Sequence, residues 1–560
     1  MVPLSEALYQ RVLEFGQAEK TVEVKIFETI IQQIWSILPG YCELPLDLET
    51  AFDQGFAGLL SNVLYKQTEL RVDVCRALQN LVESNQAIIE VDTGAEGENL
   101  VLQRRISKAA AKKNLAHLSG FASNLLAVLF NVYSQTLPHY RGFILQCVNS
   151  YLSITPEKEL EETFTRVTGL LESELPSEEQ AAKQGNLQKG TDNKMPPTSH
   201  TLIDLLIAMS IYLPRTSFAN LFRIAAVVLN RDASDPQLIK KAYKLIPRLA
   251  STETGQSALI ERSEELQALL LSTADKTPSP ARRDRLLAIH ELVTYLPTSD
   301  LHFIPSILPE VILGCKESND KARTAAFDLL IHLAKRITDS ERNPEGTVIR
   351  NSLVPHMPND TPDAAANLEE FFTMVSAGLA GTSPHMVAAS VTALSRLFFE
   401  YRTELSSETL SNLVETVELF LTSNNREIVR SVLGFAKVAV VCLPEDLLRP
   451  RLNSLVPNLM VWSKEHKGRL RTKVKGILDR LVRRFGAPLI EGLVGEADRK
   501  LVVNIRKERE RKKRKNKEGA ENDDEDDENN ASGGFSNEFD RAVYGSDISS
   551  DDDDSDSEVE

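Results

Sequence analysis

The stretch from Leu308 to Arg336, LPEVILGCKESNDKARTAAFDLLIHLAKR, sets the pattern for the whole chain. Ala322, Ala325, Ala326, Leu329 and Leu333 fall at i, i+3, i+4, i+7 and i+11, which is one face of an α-helix. The polar run Glu317-Ser318-Asn319-Asp320 ahead of them reads as a turn, with Asp320 as the N-cap of that helix. Leu308-Pro309 reads as the opening of a preceding helix, because proline loses no intrahelical donor in a first turn. Two short antiparallel helices cannot bury such a face alone. They need similar pairs stacked on either side.

The unit recurs. An arginine shortly after a polar turn marks the second helix at Arg323, Arg430 and Arg471, and Pro384-His385-Met386-Val387 takes the same place without the arginine. The spacing is about 40 to 47 residues with two helices per period, as in HEAT-type repeats. Hydrophobic-proline pairs punctuate the chain to match, at Leu38-Pro39, Leu137-Pro138, Leu213-Pro214, Ile246-Pro247, Leu296-Pro297, Leu443-Pro444 and Val456-Pro457. A generic helical bundle with prolines in its loops is the alternative. Runs of alternating β-branched residues are missing, so the expected fold is all-α: a HEAT/armadillo-like solenoid with a disordered charged C-terminal tail.

Charge changes the picture at one end. The 560 residues sum to −16, yet residues 518–560 hold 18 Asp/Glu and one basic residue, Arg541, so the rest is near neutral. Hydrophobic residues make up 42% of the chain, enough for a continuous core, while aromatics make up only 6%. The five cysteines are scattered without a CxxC, which fits a reduced compartment and gives neither a disulfide framework nor a zinc site. The apolar runs Leu205–Leu213 and Phe435–Leu443 are too short to span a membrane, and the N-terminus has no basic-then-apolar leader.

The expected organisation is helical repeats over 1–155, an acidic helix and flexible linker over 156–200, and HEAT-like repeats over 201–338. A loop insertion follows at 339–366, then further repeats over 367–498, a basic helix over 499–517 and an acidic disordered tail over 518–560.

The run FETIIQQIWSILPGYCELPLDLETAF (Phe27–Phe52), followed by LRVDVCRALQNLV (Leu70–Val82), resembles the ribosomal RNA-processing protein 12 family of HEAT-repeat ribosome-assembly factors. Trp35, Leu38-Pro39-Gly40-Tyr41-Cys42, Pro45, Asp47-Leu48 and the helix with Arg71, Cys75, Ala77 and Leu78 carry the match. The resemblance is specific over 20–85 and architectural elsewhere. It implies a nuclear and nucleolar factor acting in rRNA maturation and export of pre-ribosomal particles, with links to karyopherins and the Ran GTPase. Members carry a helical region ahead of this run, so the chain is expected to be the C-terminal portion of such a protein or a short isoform.

The strongest local signal is basic. Lys512-Lys513-Arg514-Lys515 fits the clustered pattern that importins read. Arg506, Lys507, Arg509 and Arg511, with the stripe Lys464, Lys467, Arg469, Arg471, Lys473, Lys475, Arg483 and Arg484, are candidates for phosphate contact with rRNA, since dense positive charge releases phosphate counterions; an earlier basic cluster, Arg104, Arg105, Lys108, Lys112 and Lys113, is a third candidate. The plainer reading is a solvated charged surface balancing the tail. Ser549, Ser550, Ser555 and Ser557 each precede an acid by three residues, the pattern of acid-directed phosphorylation. Motifs for nucleotide, zinc-protease or serine-hydrolase chemistry are missing, so no catalytic residue, metal, cofactor or small-molecule substrate is expected. His290, His302 and His332 read as ordinary structural histidines. The expected role is a non-enzymatic scaffold for pre-ribosomal particles, without a membrane; a karyopherin-like adaptor gripping protein cargo and Ran is the alternative.

Overall fold

The computed structural model describes residues 2–90, 106–183, 195–231, 235–355, 357–464, 469–496, 498–519 and 539. The side chains of 177–183, 464, 469, 508 and 512–519 lie outside that description. The chain forms two compact units, 1–288 and 289–560. It is an all-α array of HEAT/armadillo-like helical pairs.

In the first unit, helix Arg71–Glu90 buries Val74, Cys75, Ala77, Leu78, Leu81 and Val82 between helices Lys108–Ser134 and Gly142–Leu152. The 27-residue helix Lys108–Ser134 is long and apolar enough to cross a membrane by length and composition, which the short apolar runs of the sequence did not suggest. Here Leu118, Ala122, Leu125, Leu126, Leu129 and Val132 are buried in a helix that packs on Gln54–Lys66, Arg71–Glu90 and Gly142–Leu152, so the apolar face is spent on the core.

One sequence expectation, the linker, changes in this unit. Helix Glu157–Lys183 runs on through Pro176, and the next helix already starts at Thr198. The expected linker over 176–200 is therefore shortened at both ends, and its middle lies outside the described residues. Leu160, Phe164, Val167, Leu171 and Leu175 repeat at helical spacing and are buried, which explains why the acidic stretch is ordered up to the proline.

The second unit shows the repeat most plainly. First helices Phe303–Gly314, Leu368–Ser376, Ser407–Glu418 and Leu452–Val461 alternate with second helices Asp320–Thr338, Pro384–Glu400, Arg426–Cys442 and Arg469–Phe485. Three of the second helices start at 384, 426 and 469, which is the expected period. Asn319, Ser383 and Asn425 cap the second helices that start at 320, 384 and 426, accepting bonds from Ala322, Met386 and Ile428 at 3.1, 3.1 and 3.3 Å. The N-cap is therefore Asn319 rather than Asp320, which is the first helical residue. Pro309 sits inside its helix instead of opening it. Burial of Phe303, Ile304, Ile307, Leu308 and Val311 along both sides of the proline outweighs the one backbone bond it removes.

The arginines singled out in sequence do not hold neighbouring repeats together. Arg323 bonds the Glu317 carbonyl at 2.8 Å within its own turn, and Arg430 and Arg471 are exposed. Other arginines make that link. Arg336 reaches back to the Leu296 carbonyl at 2.9 Å, and Arg484 to the carbonyls of Val440 (2.6 Å) and Leu443. Leu296 and Leu443 each precede a proline that ends a repeat helix, so the guanidinium satisfies carbonyls that the helix itself leaves open. Trp462 donates to the Leu421 carbonyl at 2.7 Å across the same kind of step. Glu427 accepts from Lys316 and pairs with His385, both at 2.8 Å, tying two second helices to the turn after Phe303–Gly314; these two bonds hold its carboxyl below the usual range.

The expected loop over 339–366 is built rather than open. Asn343 accepts from Arg336 at 2.7 Å and donates to the Arg336 and Ile337 carbonyls at 2.9 and 2.8 Å. Val348–Ile349 then pairs antiparallel with Ala364–Ala365. With two residues per strand, the alternation that marks a strand in sequence has no room to show.

His290 and His332 stack at 4.1 Å, and His332 shares a 3.0 Å hydrogen bond with Thr294. Among the described residues no group of three or more potential ligands could hold a metal. Burial, then His290 and the cations Lys335, Arg336 and Arg342, push His332 down to about 4. Its folded value lies below its unfolded one, so between about 6.5 and about 4 the unfolded chain takes the proton first. This unit should therefore lose about 2 kcal/mol as pH falls through that window, at about 1.4 kcal/mol per unit with partial solvent screening. Hydrogen exchange at pH 7 and pH 4.5 measures the loss, and His332→Gln should flatten it.

Candidate nucleic-acid interface

Residues 469–519 carry 18 Lys/Arg against seven Asp/Glu. Helix Arg469–Phe485 is amphipathic: Leu470, Val474, Ile477, Leu478, Leu481 and Val482 are buried, and its cations take the other positions. It packs on helix Arg426–Cys442 and receives helix Arg499–Gly519, which buries Val502 and Ile505. The second basic helix thus starts as part of the array before running past it.

Ion pairs sort the candidates. Asp479 meets Arg483 at 2.6 Å and Arg509 at 3.6 Å, and Glu491 meets Arg506 at 3.0 Å. Arg506 and Arg509 are only part-exposed, and their charge is engaged in docking the helix. Arg471, Arg499, Lys500, Lys507 and Arg511 are exposed. Lys473 and Lys475 are half-buried on the helix. Arg484 is occupied with the Val440 and Leu443 carbonyls. The structure therefore leaves Arg471 of the expected stripe exposed, and adds two exposed cations that the sequence reading did not single out for phosphate, Arg499 and Lys500. It places Lys507 and Arg511 with them and leaves Arg506 and Arg509 with a structural partner each.

Several candidates lie outside the described residues: Lys467, the side chains of Lys464 and Arg469, and Ser549, Ser550, Ser555 and Ser557. Lys512-Lys513-Arg514-Lys515 fall within helix Arg499–Gly519, but their side chains are likewise outside. Of the earlier basic cluster, Lys108, Lys112 and Lys113 open helix Lys108–Ser134, and Lys113 pairs with Glu49 at 2.9 Å; Arg104 and Arg105 are not among the described residues.

The arrangement can attract phosphate chains by charge. Base stacking is another matter, because Trp462 and Phe485, the aromatics nearest in sequence, are both engaged. Trp462 is half-buried and bonded to Leu421, and Phe485 lies under the guanidinium groups of Arg449 and Arg484 at 5.6 and 5.8 Å. Binding through these helices would be backbone-directed and indifferent to sequence.

Comparison with known proteins bears on the family. The model for "Ribosomal RNA-processing protein 12, HEAT repeats" matches residues 1–136. Ribosomal RNA-processing protein 12 of Saccharomyces cerevisiae is 41% identical over 95% of this chain and 42% of its own length. The putative ribosomal RNA-processing protein 12 of Schizosaccharomyces pombe is 36% identical over 91% of this chain and 41% of its own. Among solved structures, Kap121p bound to Nup53p covers 90% of this chain and 55% of that one at 13% identity and a TM-score of 0.40. The chain spans about two fifths of the length of the two yeast relatives it matches. By its match along nearly all of its residues, the chain belongs to the ribosomal RNA-processing protein 12 family.

Proposed function

We propose that this chain is a non-enzymatic scaffold in ribosome biogenesis, acting in rRNA processing. Its stacked helical pairs offer extended surfaces to pre-ribosomal proteins, and its basic C-terminal helices contact precursor rRNA and accompany the particle through maturation and nuclear export. The observation that carries the reading is the alignment, along nearly the whole chain, with relatives named for rRNA processing. The exposed cations Arg471, Arg499, Lys500, Lys507 and Arg511 supply its physical means. Crosslinking and immunoprecipitation from nuclei, with sequencing of the attached RNA, tests it: precursor rRNA is expected. Recovery without RNA, but with protein partners that change with the nucleotide on Ran, would replace it by a karyopherin-like adaptor.

The same reading places the protein in the nucleus and nucleolus, with importin reading Lys512-Lys513-Arg514-Lys515. Replacing these four residues by alanine should move a fluorescent fusion from nucleus to cytoplasm, with about a tenfold drop in the nuclear-to-cytoplasmic ratio as an order-of-magnitude expectation. A fusion that stays nuclear would leave the cluster as an RNA contact alone. Phosphorylation at Ser549, Ser550, Ser555 and Ser557 would deepen the charge of the tail and compete with rRNA for the basic helices.

A further inference from the structure

Phe539 is the one described residue of the acidic C-terminal region, and it lies on the repeats. Phe539 is buried, 8% exposed, on a cradle formed by helices Asp320–Thr338 and Pro384–Glu400. Its ring meets Phe399 edge-on at 5.6 Å between centroids and lies beside Phe327 at 6.3 Å. The Arg396 guanidinium sits over the ring at 5.0 Å. Arg396 also pairs with Glu400 at 3.7 Å, while its Nε is buried without a hydrogen-bond partner among the described residues.

These features are those of a peptide-recognition pocket. An aromatic floor gives shape, a cation over the ring face gives direction, and a spare buried donor favours a ligand carrying acceptors. In sequence, Phe539 is flanked by Glu538 and Asp540, inside a segment otherwise rich in acids and poor in apolar residues. Over residues 534–544 the segment's large apolar side chains are Phe535, Phe539, Val543 and Tyr544, and Phe539, the one among the described residues, is found in the cradle.

We propose that Phe327, Phe399 and Arg396 form a binding site for a phenylalanine flanked by acidic residues, and that Phe539 occupies it in cis as a releasable latch. Helix Arg499–Gly519 ends 20 residues before Phe539, so a short length of chain links the two. A tether of that length keeps the latch at an effective concentration of about millimolar, enough to hold a weak motif and still let it exchange.

A labelled peptide spanning Gly534–Tyr544, titrated by fluorescence anisotropy into the full chain, tests this. Wild-type chain should bind it weakly, because the tethered copy competes. Phe539→Ala should open the cradle and bind the peptide at least about tenfold more tightly. The same peptide with alanine in place of Phe539 should not bind the opened chain, and adding Arg396→Met to the Phe539→Ala chain should weaken binding several-fold. Equal affinity for wild-type and Phe539→Ala chains, no binding to the opened chain, or equal binding of the alanine peptide would each overturn the proposal.

Discussion

Arg285→Met should cost the first unit about 3–5 kcal/mol, the largest stability loss expected of a single substitution in this chain. Arg285 is fully buried, 0% exposed, on helix Arg282–Thr294. It donates to the Leu270 carbonyl at 2.7 Å, to Thr273 Oγ1 at 3.0 Å and to the Tyr243 hydroxyl at 3.1 Å, with its guanidinium 5.7 Å from the Tyr243 ring centroid. Thr277 joins the cluster through a 2.7 Å bond to the same hydroxyl. Methionine fills most of the volume but leaves a helix-terminal carbonyl and two hydroxyls short of a donor in a dry site. Hydrogen bonds to a charged group contribute about 1.5–3 kcal/mol each, and stranded acceptors add their desolvation. A repeat array need not unfold in one step, so the measurement is hydrogen exchange in helices Pro236–Tyr243 and Ser263–Ser272. Both should lose protection together, whereas Arg430→Met, on an exposed face, should change local stability by less than about 0.5 kcal/mol. Unchanged exchange in the two helices would mean the guanidinium adds nothing to their contact.

The contrast between Arg285 and Arg430 explains what could be read from the sequence. Periodicity reports which face of a helix is apolar, and that reading holds: Ala322, Ala325, Ala326, Leu329 and Leu333 are all buried. The repeat length was legible for the same reason, because each pair must end on a turn and a cap about every 40 residues. What periodicity cannot report is which arginine turns inward. Arg323, Arg430 and Arg471 stand out because they follow a turn, but Arg430 and Arg471 lie on the exposed sides of their helices and Arg323 turns back to its own turn. Arg285, Arg336 and Arg484 look like surface charge in sequence, yet the carbonyls they satisfy lie one repeat away or in a neighbouring turn. Phe539 was hidden more deeply. Phe535, Phe539 and Val543 fall at i, i+4 and i+8, but that spacing does not say what they pack on, and the cradle for Phe539 lies about 140 to 210 residues upstream. At the basic helices the composition was legible and the roles were not. Arg506 and Lys507 are adjacent in sequence, but helix geometry sends one to Glu491 and the other to solvent.

That division yields the second large effect. Reversing Arg471, Lys507 and Arg511 to glutamate should lower affinity for single-stranded RNA roughly 100-fold at low salt, and should flatten the slope of log affinity against log salt by about 2. Each cation that meets a phosphate releases about 0.7 counterion from a single strand, so three lost contacts account for that change in slope. The three are exposed and distant from the buried faces of their helices, so folding should be unaffected. Reversing Arg506 and Arg509 instead should act through stability. Glutamate there would face Glu491 and Asp479, releasing helix Arg499–Gly519 from the array, visible as faster exchange around Val502 and Ile505. Filter binding across a salt series, with hydrogen exchange on the same proteins, separates the two outcomes. An unchanged salt slope in the triple variant would remove these cations from the rRNA contact and leave the face of the repeats as its site.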